Sequence, residues 1–328
     1  MGRHNGASLT RSRLVRAALA GLALAVVGAM PVRAADGPRV IASIVPIHSL
    51  VAQVMEGVGQ PHLLVSGAAS PHDYALRPSD AEALSNADAV FWVGPGLESF
   101  LAKSLASLAK KARVVPLATA EGVFVLPVRR GGAWEGERVE GQAARGPAAG
   151  GSGPVGRDMH IWLYPANAQA LTRAIAATLA DVDPANAARY ERNRDSTLAR
   201  LATLDRDIAA AVGRVAAQPF VVFHDAYQYF EHRYGLRAVG SITVSPERAP
   251  GPRRIRDLRT KIERLKAKCV FREPSFESGL IATLVEGTDT RVGVLDPEGA
   301  TVEPGPAAYD ALMRRLAAGL VDCLASRS

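Results

Sequence analysis

Cysteine is scarce in this chain: two residues in 328, Cys269 and Cys323, both late. Neither lies near the N-terminus, so the Leu-x-x-Cys pattern needed to attach a bacterial lipid anchor is absent. No Cys-x-x-Cys pair and no His-Glu-x-x-His stretch occurs, which removes the local zinc signatures of ribbons and zincin proteases. A serine nucleophile elbow is missing too. The apolar run at residues 17–30 has 14 residues, short of the ~20 that span a bilayer.

The flanks of that run give it a different role. Arg3, Arg11, Arg13 and Arg16 precede it, and Val32-Arg33-Ala34 offers small residues at cleavage positions, so residues 1–35 read as a secretory signal removed on export. The expected location is the periplasm, without lipid attachment. Five of the 39 basic residues and none of the 32 acidic ones lie before Ala35, so the mature chain carries a net charge of only +2. A precursor pI near 9.7 therefore does not mark a nucleic-acid binder, because no basic stripe with interleaved aromatics survives processing. Arg253-Arg254-Ile255-Arg256 reads as a solvated helix face. In an oxidising compartment the two cysteines are expected to pair, which would stabilise the fold by ~4 kcal/mol on the chain-entropy model. Thiolate ligation of zinc is the competing use.

After the signal, short apolar runs alternate with helical patterns. Strands are expected at 40–45, 63–65, 89–93 and 114–117, with helices at 49–57, 79–87 and 97–108 between them. The alternation resumes with strands at 220–223, 238–241, 269–271 and 292–295, and helices running to Tyr234 and at 255–266, 278–286 and 309–324. The fold class is α/β: two lobes with parallel sheets covered by helices, joined by a long rigid linking helix, with two shorter helices packed on one lobe as the alternative for that stretch. The boundaries are 36–183 for the first lobe, 184–216 for the linking helix and 217–328 for the second. Pro184 follows a break at Asp183, because proline starts helices well and interrupts them badly. Residues 129–157, rich in glycine and without an apolar period, read as a mobile surface loop.

Three histidines stand in short strand or turn contexts: Ser-Pro-His72-Asp-Tyr, Asp-Met-His160-Ile-Trp and Val-Phe-His224-Asp-Ala-Tyr. Imidazole is the commonest ligand for late divalent metals, and three of them leave one position for a carboxylate or water. Asp296, in Gly293-Val-Leu-Asp-Pro297, is the candidate for that position. Each histidine alone reads equally as a hydrogen-bonded core group. His48 is a further candidate ligand or a helix-start residue, and His62 and His232 read as surface and helix-face residues. Asp225 is either an acceptor behind His224 or a helix cap.

The segments His72-Asp-Tyr-Ala-Leu-Arg-Pro-Ser-Asp80, Ala87-Asp-Ala-Val-Phe-Trp-Val-Gly-Pro95, Met159-His-Ile-Trp-Leu163, Val222-Phe-His-Asp-Ala-Tyr227 and Gly293-Val-Leu-Asp-Pro297 resemble those of the zinc-binding solute-binding proteins of ABC transporters, the ZnuA type within metal-binding cluster A-I. The resemblance covers nearly the whole mature chain. It implies that His72, His160 and His224 ligate Zn2+ in the cleft between the lobes, that Asp296 lies at or near the metal, and that Cys269 pairs with Cys323. It also implies capture of transported Zn2+ and delivery to an ABC permease with its ATPase, by a monomer that is no enzyme and binds no nucleic acid. Two departures stand out. Residues 129–157 lack the histidines that many relatives carry in this loop, and Pro71 replaces a glutamate that some place before the first ligand.

A manganese or iron receptor of the same fold is the nearest alternative, since its members usually carry a carboxylate where His224 stands, and hard Mn2+ prefers oxygen donors. A secreted zinc hydrolase is the alternative from another class. Glu98 and Glu277 are expected to be exposed acids on the two lobes, either contacts for a permease or ordinary solvated charges.

Overall fold

The computed structural model describes residues 37–67, 69–129, 156–243, 250–276 and 279–325. The predicted signal, residues 130–155 of the predicted loop, and Glu277 lie outside the described residues.

Strands β1 (Val40–Ala42), β2 (His62–Leu63), β3 (Ala89–Trp92) and β4 (Arg113–Pro116) form a parallel sheet in the order β2-β1-β3-β4. Parallel neighbours need crossovers, supplied by helices α1 (Val45–Val54), α2 (Pro78–Asn86) and α3 (Leu101–Leu108). Helix α1 starts at Val45 rather than at Ser49 as expected. Pro46 sits in its first turn, where a missing N–H is harmless and the fixed φ suits a helix.

The second lobe repeats the plan. Strands β5 (Pro219–Val222), β6 (Arg237–Ser241), β7 (Cys269–Arg272) and β8 (Arg291–Val294) form a parallel sheet in the order β6-β5-β7-β8. Helices α6 (Gln228–Tyr234), α7 (Pro252–Leu265) and α8 (Gly279–Val285) make the crossovers. Along β5 and β7 the side chains alternate between two cores, as a period of two requires. Phe220, Val222, Cys269 and Phe271 face the main hydrophobic cluster, whereas Val221 and Val270 face a smaller one under α7 and α8.

Between the sheets run α4 (Pro165–Val182) and α5 (Ala187–Val212), the latter flanked by single 3-10 turns at Pro184–Asn186 and Gly213–Val215. The 26 residues of α5 extend about 39 Å at 1.5 Å each, and the 3-10 turns account for the rest of the span expected as one helix. Tyr190, Thr197, Leu201, Leu204, Ile208 and Val212 bury one stripe of α5 at helical spacing. The last helix, α9 (Ala308–Leu324), packs on both α5 and α1. One continuous core thus runs from β1 and β3 through α1, α4, α5 and α9 to the second sheet.

Cys269 and Cys323 form a disulfide with Cα atoms 6.1 Å apart, tying β7 to the last turn of α9. The thiols are consumed in that bond and are not metal ligands. Within the basic run of α7, Arg253 and Arg256 are exposed as expected, but Arg254 is not simply solvated. It donates to the carbonyls of Ser241 and Ile242, closing the end of β6 against α7.

Candidate metal centre

In a parallel sheet, side chains just beyond the carboxyl ends of adjacent strands converge. His224 stands two residues past β5, and Glu273 one residue past its neighbour β7. Glu273 meets His224 Nδ1 at 2.7 Å through Oε2 and 2.9 Å through Oε1, and accepts a hydrogen bond from the Tyr227 hydroxyl at 3.0 Å. That contact leaves His224 Nε2 pointing into the cleft.

His160 is held in the same way. Asp158 Oδ1 lies 2.8 Å from His160 Nδ1 and also accepts the His160 backbone N–H, while Asp158 Oδ2 accepts from Gln228 of α6. The following 3-10 turn, Ile161–Leu163, is fully buried. Trp162 donates its Nε1–H to the Pro297 carbonyl, and the Tyr309 hydroxyl donates to the Trp162 carbonyl. His72 comes from the first lobe, on the turn ahead of α2. Buried Asp80 braces that segment by accepting from the Tyr74 hydroxyl and the Arg77 backbone N–H.

The three imidazoles meet with donor atoms all within 4.8 Å of one another, the one such cluster of three or more metal-binding side chains among the described residues. His160 Nε2 and His224 Nε2 are 3.2 Å apart. Donors bonded at 2.0–2.1 Å to a tetrahedral ion are separated by ~3.4 Å, so the spacing already suits zinc. A cavity of about 220 Å3 opens onto the cluster, lined also by Gly96, Arg129, Arg157 and Met159.

The charges around the three rings differ sharply. Burial, followed by the proximity of His160 and His224, pushes His72 down to about 2, so it is a neutral donor at any physiological pH. Burial acts in the same direction on His224, but the Glu273 carboxylate outweighs it with help from Glu298 and Asp225, raising the ring to about 9. Without metal His224 therefore holds a proton on the nitrogen that faces its partners. A cation entering the cleft must displace that proton.

Asp296 lies outside the histidine cluster. Its two oxygens accept from the backbone N–H groups of Gly299, Ala300 and Thr301 and from the Thr301 hydroxyl, at 2.8–3.0 Å. The carboxylate shapes its own loop. Asp225 acts on His224 through its charge and is not the acceptor behind the ring, a place Glu273 takes. The Asp225 carboxylate pairs with Arg129, which also grips Glu231 at 2.7 and 2.9 Å. Burial works against the Arg129 charge, but Glu231 and Asp225 outweigh it and hold the guanidinium protonated above its usual range.

His48 is buried in α1, donating Nε2–H to the Pro61 carbonyl, and does not join the cluster; His62 and His232 are exposed. Glu98 corrects the expectation of an exposed acid. It is fully buried, accepting from the Ser43 hydroxyl at 2.5 Å and from the backbone N–H groups of Val93 and Gly94. Burial raises it to about 7, and those hydrogen bonds oppose the rise.

Sequence reasoning missed Asp158 and Glu273. Asp158 was within reach, two residues before His160 in the same motif. Glu273 carried no local signal, because its partnership with His224 depends on β5 and β7 being neighbours.

Two α/β lobes bridged by a long helix, with imidazoles from both facing one cleft, define a two-lobed solute-binding protein. A family model described as zinc-uptake complex component A, periplasmic, matches residues 40–323, and the chain belongs to that family. A high-affinity zinc uptake system protein ZnuA of Brucella abortus (strain 2308) is 46% identical over 310 residues, covering 89% of this chain and 93% of its own. The ZnuA of Paracoccus denitrificans (strain Pd 1222) is 36% identical over 325 residues, covering 95% and 98%. Among solved structures, a crystal structure of ZnuA superposes with a TM-score of 0.73 at 23% identity, over 88% of this chain and 100% of its own. The periplasmic zinc binding protein TroA of Treponema pallidum gives 0.71 at 20%, with the same coverage. These two share the fold. No helix among the described residues is long and apolar enough to cross a membrane.

Proposed function

We propose that the mature chain, freed of residues 1–35, captures Zn2+ in the periplasm through His72, His160 and His224 and hands it to an ABC permease driven by its ATPase. The observation that supports this most directly is the convergence of three imidazoles in which two have their outer nitrogens committed to buried carboxylates. Such acceptors fix the tautomer and ring orientation and raise ligand basicity. The nitrogen-rich donor set favours zinc over manganese. Binding and release suffice; no covalent step is assigned to any residue.

The direct test offers equal zinc and manganese to the metal-stripped protein and counts bound metal by elemental analysis. About one zinc per chain is expected; manganese in excess, or no metal, would overturn the assignment. His160→Ala is expected to weaken zinc binding ~100-fold or more, since a four-ligand site worth 10–16 kcal/mol loses ~3 kcal/mol with each ligand. Glu273→Gln keeps the shape and removes the charge behind His224, and a loss of 10- to 100-fold is expected in a chelator competition. Unchanged affinity in Glu273→Gln would mean that the carboxylate serves the fold alone.

A further inference from the structure

Asp296 spends both of its oxygens on its own loop, and the same loop presents another carboxylate two residues later. Glu298 is 9% exposed, and its Oε1 lies 3.9 Å from His72 Nε2. That distance is too long for a hydrogen bond. It is about 0.5 Å beyond the ~3.4 Å edge expected between donors around tetrahedral zinc. Among the described residues the three imidazoles are the group that meets mutually within 4.8 Å, and a small swing of the Glu298 side chain would complete four donors.

The backbone carrying Glu298 is already set. Asp296 accepts from three backbone N–H groups of the loop, and Trp162, which follows His160 by two residues, holds the Pro297 carbonyl at 2.8 Å. Gly299 has φ +78, and a Cβ there would come within 3.1–3.2 Å of Leu312 and Val45, so a side chain at this position is opposed by both backbone strain and packing. A loop this constrained moves its side chains, not its chain path.

We infer that Glu298, not Asp296, supplies the fourth ligand to the transported ion, an inference that rests on the proposed role of the three histidines. Three neutral imidazoles leave the full charge of a divalent ion in a buried cleft, and one carboxylate in direct contact halves it. Asp296 is then a positioning residue for Glu298. Asp158 and Glu273 remain behind the rings.

The test compares Glu298→Gln and Glu298→Leu with the unaltered chain and with His160→Ala. Chelator competition with zinc and absorption spectra with Co2+ are the two readouts. Both Glu298 variants are expected to lose at least ~10-fold in zinc affinity and to shift the Co2+ bands, because water or an amide replaces the carboxylate. Apo melting temperatures of the two should stay close to the parent. A zinc-bound crystal structure of the unaltered chain decides independently of any variant. A Glu298 oxygen within ~2.2 Å of the ion supports the inference, and Asp296 or water in that place overturns it. Unchanged affinity and Co2+ spectra in the Glu298 variants, with His160→Ala impaired, would refute Glu298 while sparing the proposed function. Failure of the unaltered chain to take up zinc would remove both.

Discussion

Replacing Cys269 and Cys323 together by alanine is expected to lower the unfolding free energy by about 4 kcal/mol. The two cysteines are 54 positions apart, and the chain-entropy relation for a closed loop of that length gives this figure at 25 °C. The loss is large against the 5–15 kcal/mol that holds a typical domain together. The bond joins β7 to the end of the last helix, so without it the unfolded chain regains the freedom of the intervening loop, and that entropy is the source of the loss. Denaturant unfolding of the oxidised parent and the double variant checks the number. A difference below about 1 kcal/mol would show that the loop-closure entropy of this bond is offset elsewhere and would sink the prediction.

Zinc affinity is expected to fall about ten-fold for each unit of acidification between pH 8 and pH 6, ~100-fold in all. His224 carries the proton that zinc must displace, and its value of about 9 places this whole interval on the protonated side. An imidazole at its ordinary value of about 6.5 would weaken binding only below neutrality. The Glu273 carboxylate moves the onset upward. Chelator competition at pH 6, 7 and 8, corrected for the chelator's own protonation, reads the slope. Calorimetry in buffers of different ionisation heat should count about one proton released per zinc near pH 7.5. A flat profile would mean that His224 enters the metal-free state neutral.

The same two rings affect the metal-free fold in opposite windows. His72, with its folded value far below the ordinary 6.5, contributes stability that is complete above pH 6.5 and is lost as pH falls below it. His224, raised by its carboxylate, contributes stability that is complete below pH 6.5 and fades as pH rises through about 9.

Much of the fold was legible because each element obeys a local rule. The buried strands of both sheets are short apolar runs, and the helices between them start at prolines or carry apolar stripes. The three histidines were legible as a set because each sits in a distinctive short segment. What escaped depends on relations between segments. Strand order placed Glu273 behind His224, and loop self-bonding turned Asp296 inward while leaving Glu298 against His72. Glu98 looked exposed because it follows Gly94-Pro-Gly96-Leu97. The turn it closes folds its carboxylate back onto the chain's own N–H groups.

A short antiparallel bridge pairs Pro127 with Arg157, and the Val128 N–H donates to the Gly156 carbonyl at 3.0 Å. The chain therefore leaves and rejoins the described structure at one point, anchored on both sides. Asp158, the residue after Arg157, donates its backbone N–H to the Leu126 carbonyl at 2.8 Å while its side chain stands behind His160, so the pairing that begins at this bridge also fixes the height at which that imidazole enters the cleft.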